Sequence, residues 1–178
     1  MVKKVQICRE VSKECSDGNF VICARTDAQG VYGLDECIRR SKMYIDAGAD
    51  MIFPEGLDSV EEFDQVAKAL RQHKKSVYLL ANMTEFGKTP YIDIGTFSKM
   101  GYNCVIYPVS TLRIAMQAVN TFLNDLRQSG SQKNSVEKMQ TRKELYTALH
   151  YTPGKEWKFP EESNKGNKWW WYCWTALC

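Results

Sequence analysis

Charged and amide side chains stand directly after three apolar runs of this chain. Arg25 follows the run FVICA, Glu55 follows MIFP, and Asn82, with Thr84 two residues later, follows VYLLA. An arginine binds a carboxylate through two parallel N–H donors, and amide and hydroxyl groups add single hydrogen bonds. A cluster of these residue types would bind an anionic substrate and stabilise charge that develops on it. We therefore treat these four residues as candidate site residues.

The same residues also have a purely structural interpretation. Arg25 and Asp27 are near enough in sequence to pair with each other, and Asn82 is of a type that caps turns. For any one residue this interpretation is the simpler one. Because four such residues follow successive apolar runs, the pattern as a whole favours a site.

Four short apolar runs, separated by helical patterns, must position these side chains. They predict strands at 20–24, 51–53, 77–81 and 104–108. The runs lack polar alternation and recur roughly every 25 to 30 residues, which is typical of parallel strands joined by helices. A (β/α)8 barrel and a doubly wound sheet both fit, and both gather site residues at the carboxyl ends of the strands. No G-x-G-x-x-G or Walker motif follows any strand, which weakens a nucleotide-binding interpretation.

Helical periodicity connects the predicted strands. Val2 to Val11 show helical spacing that closes at 17–19, and Ser59 with Glu62 forms a capping-box pattern at the start of a further helix. Further helices are predicted from Leu34 to Ile45 with a stop at Gly48, over 59–71, at about 92–100 and from Ala115 to Leu126, with two more helical pieces after Gly130. At Thr152 the composition changes, and five of the six residues from Trp169 to Trp174 are aromatic.

The composition of the chain favours a globular protein and argues against several other classes. The chain has 178 residues, a formal net charge of +3 and 44% hydrophobic residues, which suits a single globular domain and argues against nucleic-acid binding. No run approaches the length of a membrane span. Seven cysteines without metal-ligand spacing predict mostly reduced, small core residues of an intracellular protein. His73 and His150 are too isolated to predict a metal site.

Five motifs together are more specific than the architecture. They are ARTDA (24–28), AGADMIFPEG (47–56), LANMTEFGKTP (80–90), YPVSTLRIAM (107–116) and MQTRKELY (139–146). In order and spacing they closely resemble the isocitrate lyase and phosphoenolpyruvate mutase superfamily, and within it the methylisocitrate lyases. The resemblance covers residues 1–151 and implies an α/β fold: the C-terminal half of a (β/α)8 barrel, with about four parallel strands and further C-terminal helices. Residues 152–178 are predicted to be a divergent, disordered Trp-rich tail without a selected role, or else an aromatic patch for a membrane interface or a partner.

The resemblance implies a carbon–carbon lyase. The expected reaction is the Mg²⁺-dependent cleavage of 2-methylisocitrate to pyruvate and succinate, in which Mg²⁺ acts as a Lewis acid on the 2-hydroxy carboxylate end. The expected partner is a small tricarboxylate substrate, with no nucleic acid and no membrane. Intact members of the family are expected to be homo-oligomers, and a lyase of this type is expected in the cytoplasm or the mitochondrial matrix.

Roles for individual residues follow from the matched motifs. Arg25 and Glu55 are the expected catalytic residues, with Arg25 on the substrate carboxylate and Glu55 behind a metal-bound water. Asn82 and Thr84 would bind the carboxylate of the succinate portion. Further substrate-binding arginines would be Arg113 and Arg142, since a tricarboxylate needs several cationic donors.

The sequence also departs from the family pattern. The D-x-D motif that carries the direct metal ligands and the K-[KR]-C-G-H loop that carries the catalytic cysteine are absent from it. No direct metal ligand is therefore predicted, and Mg²⁺ would depend on ligands from the N-terminal half of the barrel. A half barrel would expose two sheet edges and half of an apolar interior, so we expect it to associate, to need a complementing half or to curl into an open sheet.

Two alternatives to an active methylisocitrate lyase stay open. The first is a catalytically inactive paralogue or fragment that binds an anionic ligand or a partner subunit, which the absent motifs would explain. The second is a relative that processes phosphonopyruvate or oxaloacetate. Three arginines with an Asn/Thr pair suit a tricarboxylate better than these smaller substrates.

Overall fold

A computed structural model describes residues 1–156, which divide into two compact units. We call residues 1–110 the sheet unit and residues 111–156 the helical unit. Most of the predicted tail, residues 157–178, lies outside the described residues, and the domain boundary predicted after residue 151 stays a prediction. Within residues 1–156, no helix is both long enough and apolar enough to cross a membrane.

Helices and strands alternate along the sheet unit. Its elements are α1 (Val2–Ser16), β1 (Cys23–Thr26), α2 (Gln29–Tyr32), α3 (Leu34–Asp46), β2 (Met51–Pro54), α4 (Val60–His73), β3 (Tyr78–Asn82), α5 (Ile94–Met100) and β4 (Cys104–Ile106). The four strands are all parallel and lie in the spatial order β1-β2-β3-β4. The predicted α/β fold with four parallel strands is therefore confirmed.

The helical unit follows β4. Its elements are α6 (Ser110–Ser129), a 3₁₀ helix (Lys133–Lys138) and α7 (Arg142–Ala148). Gly130 adopts φ +67° just after α6, which is the left-handed conformation that commonly ends a helix. Thr141 begins α7 with a reciprocal capping box to Glu144. The predicted stop at Gly130 and the two helical pieces after it are both observed.

The two faces of the sheet have different surroundings. Successive residues of a strand point to opposite faces, and paired residues in register point to the same face. One face is covered by helices and buries Ala24, Thr26, Ile52, Pro54, Leu79 and Ala81. The other, which we call the open face, consists of residues that are partly or fully exposed: Cys23, Arg25, Met51, Phe53, Tyr78, Leu80, Asn82, Cys104 and Ile106.

Three aromatic rings fix the helices on the covered side of the sheet. Phe63 of α4 meets Phe97 of α5 edge-on at 5.1 Å between ring centroids, and Tyr102 contacts both rings at 5.6 and 5.3 Å. The Tyr102 hydroxyl donates a hydrogen bond to the Phe63 carbonyl oxygen at 3.2 Å, which satisfies its buried polar group. The trio links α4, α5 and the turn that leads into β4.

An arginine on α1 ties this helix to the base of the sheet. Arg9 donates to the Gly48 carbonyl oxygen, at 3.0 Å from Nε and 2.6 Å from Nη2, and also forms an ion pair with Asp50. Gly48 has φ +108°, and a Cβ built on it would lie 3.1 Å from Arg9 Cγ. A side chain at this position would therefore be strained and would crowd the arginine.

The first strand begins later than the predicted span 20–24. The Ile22 N–H donates to the Asp50 carboxylate at 2.9 Å, and the Ile22 carbonyl oxygen accepts from the N–H groups of Asp50 and Met51. These contacts hold the backbone just before the ladder, so that the strand itself starts at Cys23. The bonds join residues 28 or 29 positions apart, which strand propensity does not detect.

The predictions of a capping box at Ser59 and of mostly buried cysteines were only partly correct. Ser59 accepts from the Glu62 N–H as expected, but the Glu62 carboxylate accepts from the N–H of Asp58, so the predicted capping box is only half formed. Among the cysteines, Cys37 is buried as predicted for a core residue. The other described cysteines are exposed or half-exposed: Cys8, Cys15, Cys23 and Cys104.

Removing one ring of the aromatic trio should destabilise the sheet unit. We expect Phe63→Ala to lower the free energy of unfolding by about 3–5 kcal/mol, because it deletes a buried ring and leaves a cavity. Urea denaturation measures the change. Phe20→Ala, at a position where the residue is 57% exposed, is the control and should change stability far less. Equal losses in both variants would contradict the assignment of Phe63 to the core.

Candidate active site at the carboxyl ends of the strands

The parallel strands bring three of the predicted site residues together. Arg25 is the third residue of β1, Glu55 directly follows β2, and Asn82 is the last residue of β3. The Glu55 N–H donates to the Thr26 carbonyl oxygen at 3.0 Å, which continues the pairing of β1 with β2 beyond the last residue of β2. The three side chains consequently meet at the carboxyl edge of the sheet.

Arg25 is held from several sides. Its Nε and Nη2 donate to the two carboxylate oxygens of Asp27 at 2.7 and 3.0 Å, and its Nη1 lies 3.7 Å from Oε2 of Glu55. The guanidinium also stands over the Phe53 ring, 5.0 Å from its centroid, in a cation–π contact. The Asp27 hydrogen bond, joined by the charge of Glu55, raises the pKa of Arg25, so the guanidinium stays charged. Because it is half-exposed, the cation is both oriented and accessible to a ligand.

Asn82 lies beside the carboxylate of Glu55. Its Nδ2 is 3.5 and 3.4 Å from the two carboxylate oxygens of Glu55, at the long limit for a hydrogen bond. Its Oδ1 is buried and has no hydrogen-bond partner within residues 1–156. Buried polar atoms are nearly always hydrogen-bonded, so this oxygen is suited to accept a hydrogen bond from a ligand or a water.

The loop after β3 contains Thr84 and a hydrogen bond that the sequence motifs did not predict. Thr84 is half-buried two residues beyond β3. Next to it, the Glu85 carboxylate accepts a hydrogen bond from the Ser110 hydroxyl. Ser110 begins α6, so this bond connects the loops that follow β3 and β4 on the same side of the sheet.

The two remaining predicted arginines belong to the helical unit. Arg113 lies in the first turn of α6 and is exposed. Arg142 is the first residue of α7 and lines a surface cavity together with Tyr146, His150 and Tyr151. Their predicted contacts with the substrate stay predictions.

Two residues that support Arg25 were not predicted as part of the site. Asp27 appeared only in the structural alternative, as a partner of Arg25, and Phe53 appeared only as part of a strand. The signal for both is positional: Asp27 is two residues after Arg25, and Phe53 is its partner in the β1–β2 register. Each of these relations puts a residue on the same face of the sheet as Arg25.

The described residues do not form a direct Mg²⁺ site. Within residues 1–156, no three His, Cys, Asp or Glu side chains are grouped so that they would hold a metal ion. Asp27 and Glu55 both face Arg25, and the guanidinium compensates their charge. Mg²⁺ takes octahedral oxygen coordination, whereas both carboxylates at this edge are turned towards a cation of the protein itself. The predicted position of Glu55 behind a metal-bound water stays a prediction.

Two cysteine thiols are protonated at neutral pH. Desolvation raises the pKa of Cys23 to about 11, with nearby Cys104 adding to the increase, although part of the Cys23 residue is exposed. Burial raises the pKa of Cys37 to about 11 as well. A reactive cysteine needs a lowered pKa, so neither of these thiols is an activated nucleophile.

The ion pair between Arg25 and Asp27 should have a measurable effect on the pKa of Asp27. The hydrogen bond from Arg25 lowers the pKa of Asp27, so we expect Arg25→Gln to raise this pKa towards its ordinary value. Carboxyl carbon chemical shifts followed by NMR over a pH titration would report it. Arg39→Gln, which removes a partner of Glu36 instead, is the control and should leave Asp27 unchanged.

The lowered pKa of Asp27 determines how its pair with Arg25 affects the stability of the fold as the pH changes. A carboxyl with a lowered folded-state pKa stabilises the fold above its unfolded pKa and loses that contribution as the pH falls through the folded value. Because both partners are more than half exposed, solvent screens the pair and the change in stability should be small. An unchanged Asp27 pKa in Arg25→Gln would show that the pair does not persist in solution.

Comparison with known proteins places this arrangement in a family. The family model for phosphoenolpyruvate phosphomutase matches residues 1–127. "Probable 2-methylisocitrate lyase 1" of Corynebacterium glutamicum is 50% identical over 135 residues, which cover 76% of this chain and 43% of that protein. The 2-methylisocitrate lyase of Aeropyrum pernix is 46% identical over 151 residues, which cover 85% of this chain and 46% of that protein. The chain thus spans somewhat less than half the length of these curated relatives.

Solved structures agree with the fold. A 2,3-dimethylmalate lyase, described as a member of the PEP mutase/isocitrate lyase superfamily, has a TM-score of 0.71 at 30% identity, covering 82% of this chain and 49% of that one. An oxaloacetate acetylhydrolase has a TM-score of 0.65 at 32% identity, covering 72% of this chain and 43% of that one.

The structural neighbours are TIM-barrel-type proteins, and the four parallel strands described above correspond to part of that architecture. The family model covers more than two thirds of the residues, and the predicted resemblance is confirmed. This chain belongs to the phosphoenolpyruvate mutase and isocitrate lyase superfamily.

Proposed function

We propose that this chain forms the carboxylate-binding part of a carbon–carbon lyase of the methylisocitrate lyase type, which cleaves 2-methylisocitrate to pyruvate and succinate. The observation that carries the proposal is the contact of Arg25, Glu55 and Asn82 at the ends of three neighbouring strands. It is supported by the identity of nearly half the aligned residues to proteins named 2-methylisocitrate lyase. Because the chain spans less than half of those proteins, the complete activity would need the remaining part of the barrel.

Arg25 is the proposed group for charge stabilisation. Cleavage of the C2–C3 bond moves an electron pair onto the departing carboxylic acid fragment, and a fixed cation beside that fragment lowers the barrier. Asp27 and Phe53 already orient the guanidinium, so little reorganisation is needed when substrate binds. Its Nη1 is 3.7 Å from the nearest oxygen of Glu55, a distance that leaves this nitrogen available to a substrate carboxylate.

Asn82 and Thr84 are the proposed ligands of the succinate portion. The Asn82 amide N–H is engaged only at 3.4–3.5 Å by Glu55 and can turn to a substrate carboxylate. Its buried Oδ1 would accept from a hydroxyl or a bound water, which would satisfy the atom that has no partner within residues 1–156. Arg113 and Arg142 would supply further cationic donors for a tricarboxylate.

A metal ion would have to be held by residues beyond those described. Glu55 has two proposed roles, which are to orient the Asn82 amide and to balance the charge of Arg25. Mg²⁺ ligands and the acid that protonates the product are expected from the other part of the barrel.

The alternative is a protein that binds an anion or a subunit without turnover. The arginine, amide and hydroxyl groups would then bind the carboxylates of a ligand that is not converted. A relative that acts on oxaloacetate is a further possibility, because one structural neighbour at 32% identity is an oxaloacetate acetylhydrolase.

Complementation should distinguish these functions. We expect pyruvate release from 2-methylisocitrate with Mg²⁺ when the full chain is mixed with the N-terminal half of the C. glutamicum relative, and none from the chain alone. A lactate dehydrogenase-coupled assay measures the pyruvate. Calorimetric binding of 2-methylisocitrate without pyruvate release in the mixture would indicate the non-catalytic alternative. Formation of oxalate and acetate from oxaloacetate, measured by chromatography, with no pyruvate from 2-methylisocitrate, would indicate the oxaloacetate relative.

Arg25→Ala tests the site within an active mixture. Removing a preorganised cation beside developing charge should reduce kcat by about 100-fold or more. Arg39→Ala is the control, because Arg39 pairs with Glu36 on the surface of α3 and lies outside the proposed site. A reduction of less than about tenfold in Arg25→Ala would remove this residue from the mechanism.

A further inference from the structure

The backbone pairing that aligns the site residues is incomplete between β2 and β3. On one side, the Glu55 N–H donates to the Thr26 carbonyl oxygen and so extends the pairing of β1 with β2 to the site. On the other side, β3 and β4 stay paired as far as Asn82. In the described part of the chain, however, the pairing of β2 with β3 ends at Ile52 and Leu79. Backbone pairing between these two strands therefore does not fix the position of Asn82 relative to Glu55.

A side-chain hydrogen bond joins the loops that follow β2 and β3. The Thr89 hydroxyl donates to the Leu57 carbonyl oxygen at 2.7 Å, across 32 positions of sequence. Leu57 is fully buried and lies shortly after Glu55, whereas Thr89 is half-buried in the loop that begins after Asn82. Pro90 follows Thr89 and disfavours a helical backbone there, which limits the conformations of Thr89. The bond thus connects the loop that carries Glu55 with the loop that follows Asn82.

The loop after β3 has a second attachment on its other side. The Ser110 hydroxyl donates to the Glu85 carboxylate, which attaches the loop to the residue that begins α6. Between the two attachments, residues 86–88 are exposed. Thr84 directly precedes the Glu85 attachment, so the loop is fixed next to the candidate site and open to solvent at its tip.

We propose that Thr89 and Ser110 are positioning residues for the candidate site. Their two hydrogen bonds hold the loop after β3, and with it Asn82 and Thr84, at a set distance from Glu55. The Asn82 Nδ2 lies at the long limit for a hydrogen bond to the Glu55 carboxylate, so a small movement of either loop would separate the two groups. The importance of this position for catalysis rests on the function proposed above, whereas the position itself does not.

A purely structural role of the Thr89 hydroxyl makes a different prediction. A backbone carbonyl oxygen inside the fold needs a donor, so loss of the hydroxyl would destabilise the fold in either case. A positioning role also changes the distance between Asn82 and Glu55 in the molecules that stay folded. The decisive measurement is therefore made on the folded protein and on these two side chains.

The distance between Asn82 and Glu55 tests the proposal directly. Thr89→Val removes the hydroxyl and keeps the shape of the side chain, and Thr89→Ser restores the hydroxyl. In NMR spectra of the folded full chain, the nuclear Overhauser effect between the Asn82 side-chain amide and the Glu55 side chain should fall to less than half in Thr89→Val and return in Thr89→Ser. Thr121→Val is the control, because the Thr121 hydroxyl donates to the Gln117 carbonyl oxygen within α6.

Several results of this measurement would overturn the proposal. The first is an unchanged Overhauser effect in Thr89→Val, and the second is a lack of recovery in Thr89→Ser. An equal loss in Thr121→Val would have the same meaning. Absence of the effect in the parent chain would show that Asn82 is not held beside Glu55 at all.

Ser110→Ala tests the second attachment, and it replaces Thr89→Val if that variant does not fold as judged by circular dichroism. It removes the donor to Glu85 and should weaken the same Overhauser effect. Ser129→Ala, at the other end of α6, is its control, because the Ser129 hydroxyl donates to the Asp125 carbonyl oxygen within the helix. Equal effects of Ser110→Ala and Ser129→Ala would overturn the role of this attachment.

Turnover separates this proposal from the proposed function. In an active mixture with the N-terminal half of the C. glutamicum relative, Thr89→Val should reduce kcat/KM for 2-methylisocitrate by about tenfold or more, because small displacements of binding groups slow a reaction strongly. Thr89→Ser should restore it. A mixture without lyase activity, in which the Overhauser effect still depends on Thr89, would contradict the proposed function and support the positioning role. Full activity in Thr89→Val would overturn the positioning role for catalysis.

Discussion

Side chains alternate between the two faces of the sheet along four parallel strands, and this alternation determines both the core and the position of the candidate site. Because each strand sends successive residues to opposite faces, three to five residues per strand serve two purposes. One set, with Ile52 and Leu79 at its centre, binds the helices and supplies the core. The other set, with Arg25 and Asn82, stays partly exposed and carries the residues of the candidate site. The site and the uncovered surface are thus two parts of one face.

The electrostatic arrangement follows from that alternation. Arg25, Asp27, Phe53 and Glu55 all have the parity that places them on one side of the β1–β2 pair. The guanidinium is therefore oriented by neighbours on its own strand and on the next, without a contact from a distant loop. A cation that is fixed before substrate arrives stabilises developing charge more effectively than one that must move. Asp27 and Glu55 balance the positive charge of the guanidinium when no ligand is bound.

Most of the architecture could be predicted from the sequence because its signals are local. The strand spacing, the helix stop at Gly130 and the start of α4 at Ser59 each depend on a few adjacent residues. The start of β1 and the exposure of Cys23 were predicted wrongly, because residues distant in the sequence determine both. Asp50 and Arg9 fix the backbone at Ile22 and so delay β1, and no periodicity within 20–24 reveals these contacts. The exposure of Cys23 has a similar cause, since it depends on whether the opposite side of the sheet is covered.

The candidate site was predicted in part for the same reason. Motif position located Arg25, Glu55 and Asn82, because parallel strands align their carboxyl ends wherever the strands occur. Phe53 was not identified as a contact of Arg25, since pairing between strands is a tertiary property. The hydrogen bond between Glu85 and Ser110 joins residues 25 positions apart and was also invisible in the sequence.

The register of β1 has an evolutionary consequence. Loss or gain of one residue within Cys23–Thr26 would turn Arg25 towards the helices and Thr26 towards the ligand side, so that core and chemistry would fail together. Substitutions have the opposite property, because a change on one face leaves the residues of the other in place. Such a strand can acquire a new specificity by point mutation while its length stays fixed. Insertions are then confined to the connections between the strands, where neither set of residues is displaced.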